Sequence, residues 1–255
     1  MRAVSKYIFP ACLAMAPGVL LLAFTMRLTP HMMWDSVQYL AAATSFATNG
    51  TFTATLAELP DAQLDAAGRL ITSHPLILWP PGYSLLIGAL ARGFALDVRT
   101  AAALISLASL AIVLWCTWRI ACEVTDTTTA AGAVAFIGVQ SVVQQLFRSA
   151  LSEPLFLACG AWTLLSIVRA WADPSRRVRW TVSAALAAGL SMNVRYTGAL
   201  VLLFQSAAAL CLLVIGRSQR ERIGLAISIA LGPLVGSLFL IHRWFTLGCA
   251  LCEAR

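Results

Sequence analysis

The 255-residue chain is 60% apolar and only 11% charged. Soluble domains run at roughly half apolar and a quarter charged, so this balance excludes a water-soluble globular domain and calls for a lipid solvent. The net charge of +7 does not indicate nucleic acid, because Arg and Lys fall in short runs between apolar stretches, as membrane orientation produces, rather than on one face among aromatics.

A spanning helix needs about 20 mostly apolar residues. The chain opens with Arg2 and Lys6 before an apolar run that continues to Phe24, with Pro17 directly after the A-x-A-like Ala14-Met15-Ala16. This reads as an uncleaved first span rather than a leader. In chain order the predicted spans are 7–26, 100–118, 128–146, 154–169, 179–194, 197–215 and 223–241. The segment 81–95 is apolar but shorter and starts with Pro80-Pro81-Gly82.

Loop charge decides its role. If 81–95 does not cross, the amino terminus, the Arg169/Arg176/Arg177/Arg179 loop and the Arg217/Arg220/Arg222 loop all face the cytoplasm, as the positive-inside rule prefers. The expectation is therefore an all-α polytopic bundle of about seven spans forming one domain over 1–255. Its amino terminus is cytoplasmic, 27–99 forms the first extracytoplasmic loop with interfacial helices, and 100–241 carries the bundle. An Ala- and Arg-rich composition suits a bacterial inner (plasma) membrane. Within spans two to seven, ionisable groups keep to helix ends, while the midplanes hold Gln140, Gln144 and Gln205, avoiding the cost of charge in hydrocarbon.

The first outside loop predicts a helix over 33–48, stopped by Gly50. Asp35, Gln38, Tyr39 and Ala42 share one face and Trp34, Val37 and Ala41 another, which describes an amphipathic helix at the membrane surface. Asp35 lies in the first turn, where the helix dipole favours a carboxylate. Asn49-Gly50-Thr51 is a glycosylation sequon that matters only in a secretory host. Ser73-His74 lacks an orienting acid and does not make a hydrolase triad. Of the seven cysteines, Cys249 and Cys252 form a lone C-x-x-C without a second pair, too little for zinc.

Three further motifs have plain structural readings. Trp79-Pro80-Pro81-Gly82-Tyr83 starts a helix with interfacial aromatics. Ser152-Glu153-Pro154 is helix-start chemistry, with Ser capping, Glu meeting the dipole and Pro in the first turn. Arg195 sits in a turn between two spans. In the preferred topology, however, Asp35, Tyr83, Arg148, Glu153 and Arg195 all emerge on the outer side, and five such residues on one side favour function.

With these motifs in this order, the chain resembles the polytopic GT-C glycosyltransferases, including protein mannosyltransferases and lipid A aminoarabinose transferases. The resemblance rests on Asp35-x-x-x-Tyr39, Trp79 to Tyr83, Ser152-Glu153-Pro154-Leu155-Phe156 and Gly189 to Gly198. It also takes in Arg243, Gly248 and Arg255 near the end. It implies transfer of a sugar from a polyprenyl-phosphate donor to an acceptor hydroxyl on the extracytoplasmic side. Asp35 would be the catalytic base, Arg195 and Arg148 would bind the donor phosphate, and Tyr39, His74, Tyr83 and Glu153 would line the pocket. No soluble cofactor is implied. Some relatives use a divalent metal, for which the sequence shows no complete site. Two departures stand out: Ser36 follows Asp35 where some relatives carry a second acid, and longer relatives continue where this chain stops. A truncated, split or inactive form, or one completed by a second chain, is expected beside the active enzyme. The rival readings are a transporter or lipid flippase, which would show paired midplane charges, broken helices and repeated halves, and a non-catalytic membrane scaffold.

Overall fold

The computed structural model describes residues 2–28, 34–50, 53–54, 74–75, 80–216, 218–238 and 240–241. They form an all-α protein with ten α-helices among the described residues. The first is α1 (Arg2–Leu28), which holds Pro10 and Pro17. It is followed by α2 (Trp34–Asn49), α3 (Gly82–Phe94), α4 (Val98–Val124), α5 (Thr127–Val139) and α6 (Ser141–Arg148). Then come α7 (Glu153–Ala172), α8 (Arg177–Val194), α9 (Gly198–Val214) and α10 (Gln219–Gly236). Between α2 and α3, Thr53–Ala54 and His74–Pro75 pair antiparallel, Ala54 opposite His74 and Thr53 opposite Pro75.

Ile8–Arg27 within α1, together with α4 and α7, is long and apolar enough to cross a membrane, and the bent pair α5–α6 makes a fourth candidate. These make the chain an integral membrane protein. Large apolar side chains face outward, Phe9 at 72% exposure and Leu200 at 69%, an inversion of soluble packing that only a lipid surround stabilises. The other three expected spans correspond to α8, α9 and α10, of 18, 17 and 18 residues. α9 is apolar but short. α8 carries mostly small residues from Ser183 to Gly189, and α10 has Arg220, Glu221 and Arg222 in its first turn. Small residues serve packing here: a Cβ on Gly189 of α8 would come within 2.7 Å of the Gly232 carbonyl oxygen on α10, a backbone approach that suits helices held together without water.

The core has two wings bridged by contact between α4 and α7. One wing buries Leu22, Leu110, Leu114, Trp118, Val134 and Phe147 among α1, α4, α5 and α6. The other packs α8 against α7, α9 and α10. α2 and α3 close one end over Tyr39, Leu40, Ala43, Tyr83 and Ile87. At the opposite end Arg169 pairs with Glu123 at 2.8 Å, and Arg177 pairs with Glu221 at 2.7 Å while its Nε donates to the Ala170 carbonyl at 3.2 Å.

Two sequence expectations need correction. The stretch 128–146 is not one straight helix: it breaks at Gln140 (φ −60°, ψ 132°), and its halves diverge by 57°. The Gln144 amide donates to the Gly138 carbonyl that the break sets free and to the Gly18 carbonyl of α1 at 3.0 Å. The kink thus has the usual cause, a side chain entering the hydrogen-bond ladder. It also supplies a broken helix, a feature the sequence showed no sign of. The α2 helix and its stop at Gly50 are as expected, with Gly50 at φ +72° and its N–H bonded to the Phe46 carbonyl at 3.0 Å. However, the face carrying Tyr39 and Ala42 is not a polar outer face; both residues are fully buried, while Val37 is exposed at 40%.

Candidate functional site

The site grows from the start of α7. Ser152 takes helical angles and makes no side-chain cap bond, so the expected capping role is not the one it plays. Its Oγ lies 3.0 Å from the Tyr39 hydroxyl of α2 and 3.5 Å from Nη1 of Arg195. Arg195 follows the last turn of α8 in extended backbone, anchored by its N–H to the Ser191 carbonyl at 2.9 Å. Its Nη1 is ion-paired with Oε1 of Glu153, the first residue of α7, while the other oxygen, Oε2, is buried without a hydrogen-bond partner among the described residues. Three helices far apart in sequence thus place one carboxylate, one guanidinium and two hydroxyls in mutual contact.

Behind them the rings of Tyr39 and Tyr83 meet edge to face, centroids 5.1 Å apart at 86°. Burial pushes the Tyr39 hydroxyl up to about 12, opposed in part by the Ser152 bond and the Arg195 charge. Burial raises Tyr83 further, with Tyr39 adding to it. Both phenols stay protonated at neutral pH, so they can hold hydrogen bonds but cannot act as bases. Asp35, half-buried in the first turn of α2, is close enough for its charge to raise Tyr39 as well.

Beside this cluster an apolar cavity of about 550 Å³ opens between α3, α7 and α8. Leu85, Leu86 and Ala89 form one wall, Leu155 and Cys159 a second, and Leu190, Asn193 and Val194 a third. Leu155 stands two residues after Glu153 and Val194 directly precedes Arg195, so the polar cluster borders the cavity. A second hollow of about 280 Å³ shares Leu155, Cys159 and Leu190 and continues along α7 and α8 to Trp162 and Ser183. Leu86 and Leu190 are 41% and 51% exposed, so the cavity opens sideways toward lipid. Gly82 fixes the upper rim: a Cβ there would sit 2.4 Å from the Asn193 carbonyl oxygen, so only glycine lets α3 start against α8.

The family profile described as dolichyl-phosphate-mannose-protein mannosyltransferase matches residues 74–242. The chain belongs to this family. The matched stretch includes His74, Tyr83, Arg148, Ser152, Glu153 and Arg195, and it begins after α2, leaving Asp35 and Tyr39 outside. No curated protein matches the chain closely enough to count as a relative.

The structure gathers Tyr83, Glu153 and Arg195 of the matched stretch with Tyr39 from outside it, and Asp35 is in electrostatic reach of Tyr39. Tyr39 and Tyr83 belong to the buried core beside the cavity rather than to its apolar wall. Arg148 lies elsewhere, lining a small hollow with Arg99, Leu40 and Ser106. The backbone of His74 pairs with Ala54; its side chain, like Trp79, Arg243, Gly248, Cys249, Cys252 and Arg255, lies outside the described residues. Sequence reasoning passed over Ser152 as a site residue. It also missed Asn193, whose Nδ2 donates to the carbonyls of Gly189 (2.9 Å) and Val235 (2.8 Å), tying α8 to α10 at the cavity edge. Among the described residues no three His, Cys, Asp or Glu side chains gather as a metal site would require.

Proposed function

We propose that this mannosyltransferase-family domain transfers a sugar from a polyprenyl-phosphate donor to an acceptor hydroxyl on the extracytoplasmic side of the membrane. The observation that carries this reading is Arg195, held by Glu153 and Ser152 at the border of an apolar cavity that opens toward lipid. Such a site suits an amphiphile whose tail stays in hydrocarbon and whose single phosphate meets a guanidinium. In this reading the Asp35 carboxylate takes the proton of the acceptor hydroxyl as that oxygen attacks the anomeric carbon. The bond from the anomeric carbon to the phosphate oxygen breaks, and the charge left on the polyprenyl phosphate is stabilised by Arg195. The buried phenols of Tyr39 and Tyr83 keep α2 and its carboxylate in register with α7 and α8.

The accompanying topology has seven spans, with α8, α9 and α10 crossing as packed members of the bundle. The 13-residue α3, about 20 Å long, lies at the outer surface with α2. The amino terminus and the Arg177–Glu221 end then face the cytoplasm, in keeping with the positive-inside rule.

The test is turnover of a panel of polyprenyl-phosphate sugars, mannose included, by the purified chain in lipid, wild type against Asp35→Asn. Release or transfer of sugar that vanishes in the variant supports the reading. Donor binding without turnover in either protein would point to a form that needs a further chain or domain. No donor binding at all would sink the reading.

A further inference from the structure

The α7 span ends at Ala172 and α8 starts at Arg177. The short connection between them therefore lies at a membrane surface, at the end of the bundle opposite the Arg195 cluster. The exposed Trp171 stands before it and Trp180 after it, packed on the buried Ala170, Leu212 and Leu225, as aromatic residues stand at head-group depth. The first turn of α10 reaches the same level. Arg177 pairs with Glu221, and a Cβ on Gly224 would lie 2.6 Å from Cγ1 of Val178, so α8 and α10 start in close contact.

The carboxylates at this end are already engaged. Glu123 holds Arg169 at 2.8 Å and Glu221 holds Arg177 at 2.7 Å. Asp126 caps α5, and Asp173 accepts from the N–H and the hydroxyl of Ser175 at 3.0 and 2.6 Å. Arg176 reaches Asp173 only at 3.8 Å. Arg179, Arg220 and Arg222 are exposed and pair with no carboxylate among the described residues. The Arg222 Nε donates to the Gly216 carbonyl at 3.0 Å, directly after the exposed Val214 and Ile215 of the α9 end, and Ile223 is exposed as well.

We propose that Arg179, Arg220 and Arg222 form a docking surface for the head groups of anionic phospholipids. A guanidinium with no carboxylate of its own meets a phosphodiester through charge-assisted hydrogen bonds, and basic residues at a leaflet surface attract anionic lipid over neutral lipid. The neighbouring surface decides between a lipid and a soluble polyanion. Trp171, Val214, Ile215 and Ile223 are exposed beside these arginines, and acyl chains cover such side chains where a soluble anion leaves them bare. The surface involves no residue of the Arg195 cluster and stands whether or not the donor reading holds.

The full chain would be reconstituted in phosphatidylcholine bilayers, and its tryptophan emission quenched with brominated phosphatidylglycerol or brominated phosphatidylcholine. The ratio of the two binding constants is the readout. Wild type should favour phosphatidylglycerol by about fivefold or more, the worth of one arginine at a charged leaflet. Arg179→Ala with Arg220→Ala should bring the ratio close to one. Arg27→Ala with Arg92→Ala removes the same charge from exposed positions at the opposite end and should leave the ratio at the wild-type value. Equal loss in the two double variants would reduce the preference to net charge and overturn the proposal. So would a wild type without preference, or a preference that persists without Arg179 and Arg220. Arg179→Gln and Arg220→Gln taken singly keep the side-chain bulk and should each lower the ratio, so the test holds even if the double variant unfolds.

Discussion

Both ends of the bundle hold an arginine paired to a carboxylate, and they are finished differently. Arg177 at one end is 7% exposed and bonded both to Glu221 and to the Ala170 carbonyl. Arg195 at the other is 23% exposed, and its partner Glu153 keeps one oxygen without a hydrogen bond. Around Arg195 stand hydroxyls and an apolar cavity, whereas Arg177 is wedged against backbone. The first pair is knitted to backbone between helices; the second leaves a buried carboxylate oxygen without a hydrogen bond. The contrast between the two ends, rather than either arginine alone, is what supports the proposed role of Arg195.

The comparison can be broken by substitution. Asp35→Asn should lower donor turnover about 10²–10⁴-fold, the usual worth of a general base, without altering the unfolding temperature. Arg195→Ala should cost about 10²–10³-fold in turnover, as loss of a charge-stabilising donor does. Arg195→Lys should recover only part of this, because lysine lacks the planar fork. At the other end Arg177→Ala removes a nearly buried ion pair with Glu221 and the bond to the Ala170 carbonyl, and should destabilise the fold by up to about 3 kcal/mol, read by thermal unfolding in detergent. Turnover per folded molecule should stay at the wild-type level, and a large loss there would erase the distinction between the ends. The smallest effect concerns pH. Burial raises the folded-state value of Tyr39 to about 12 from an ordinary 10, so the neutral phenol's contribution is complete below pH 10. It is lost as pH climbs from there through about 12. Unfolding temperature should be flat across neutrality and fall above pH 10, with a shallower fall in Tyr39→Phe.

Periodicity and punctuation made much of this legible. Apolar runs located α1, α4 and α7, Gly50 stopped α2, and Glu153-Pro154 opened α7, because each of these is decided by residues within a few positions of one another. The features that escaped depend on distant partners. Ser152 reads locally as a cap, and only Tyr39, 113 residues away, and Arg195, 43 residues away, take its hydroxyl elsewhere. Tyr39 and Ala42 looked like a surface face until α3 packed on them. α8 was placed as an apolar run near spanning length, but its close approach to α10 through Gly189 and Gly232 carries no local mark. Arg148 and Arg195, grouped by the family resemblance, come to stand apart, Arg148 lining a small hollow and Arg195 paired with Glu153.

The break at Gln140 makes one span depend on another. The two halves are 13 and 8 residues long, each too short to cross hydrocarbon alone, and only as a bent pair do they match a span. The amide that bridges the break also bonds a carbonyl of α1, 126 residues earlier in the chain. With α1 drawn away, that Gly18 carbonyl would lose its donor where no water replaces it, so the kinked segment and the first helix are tied to one another as a unit.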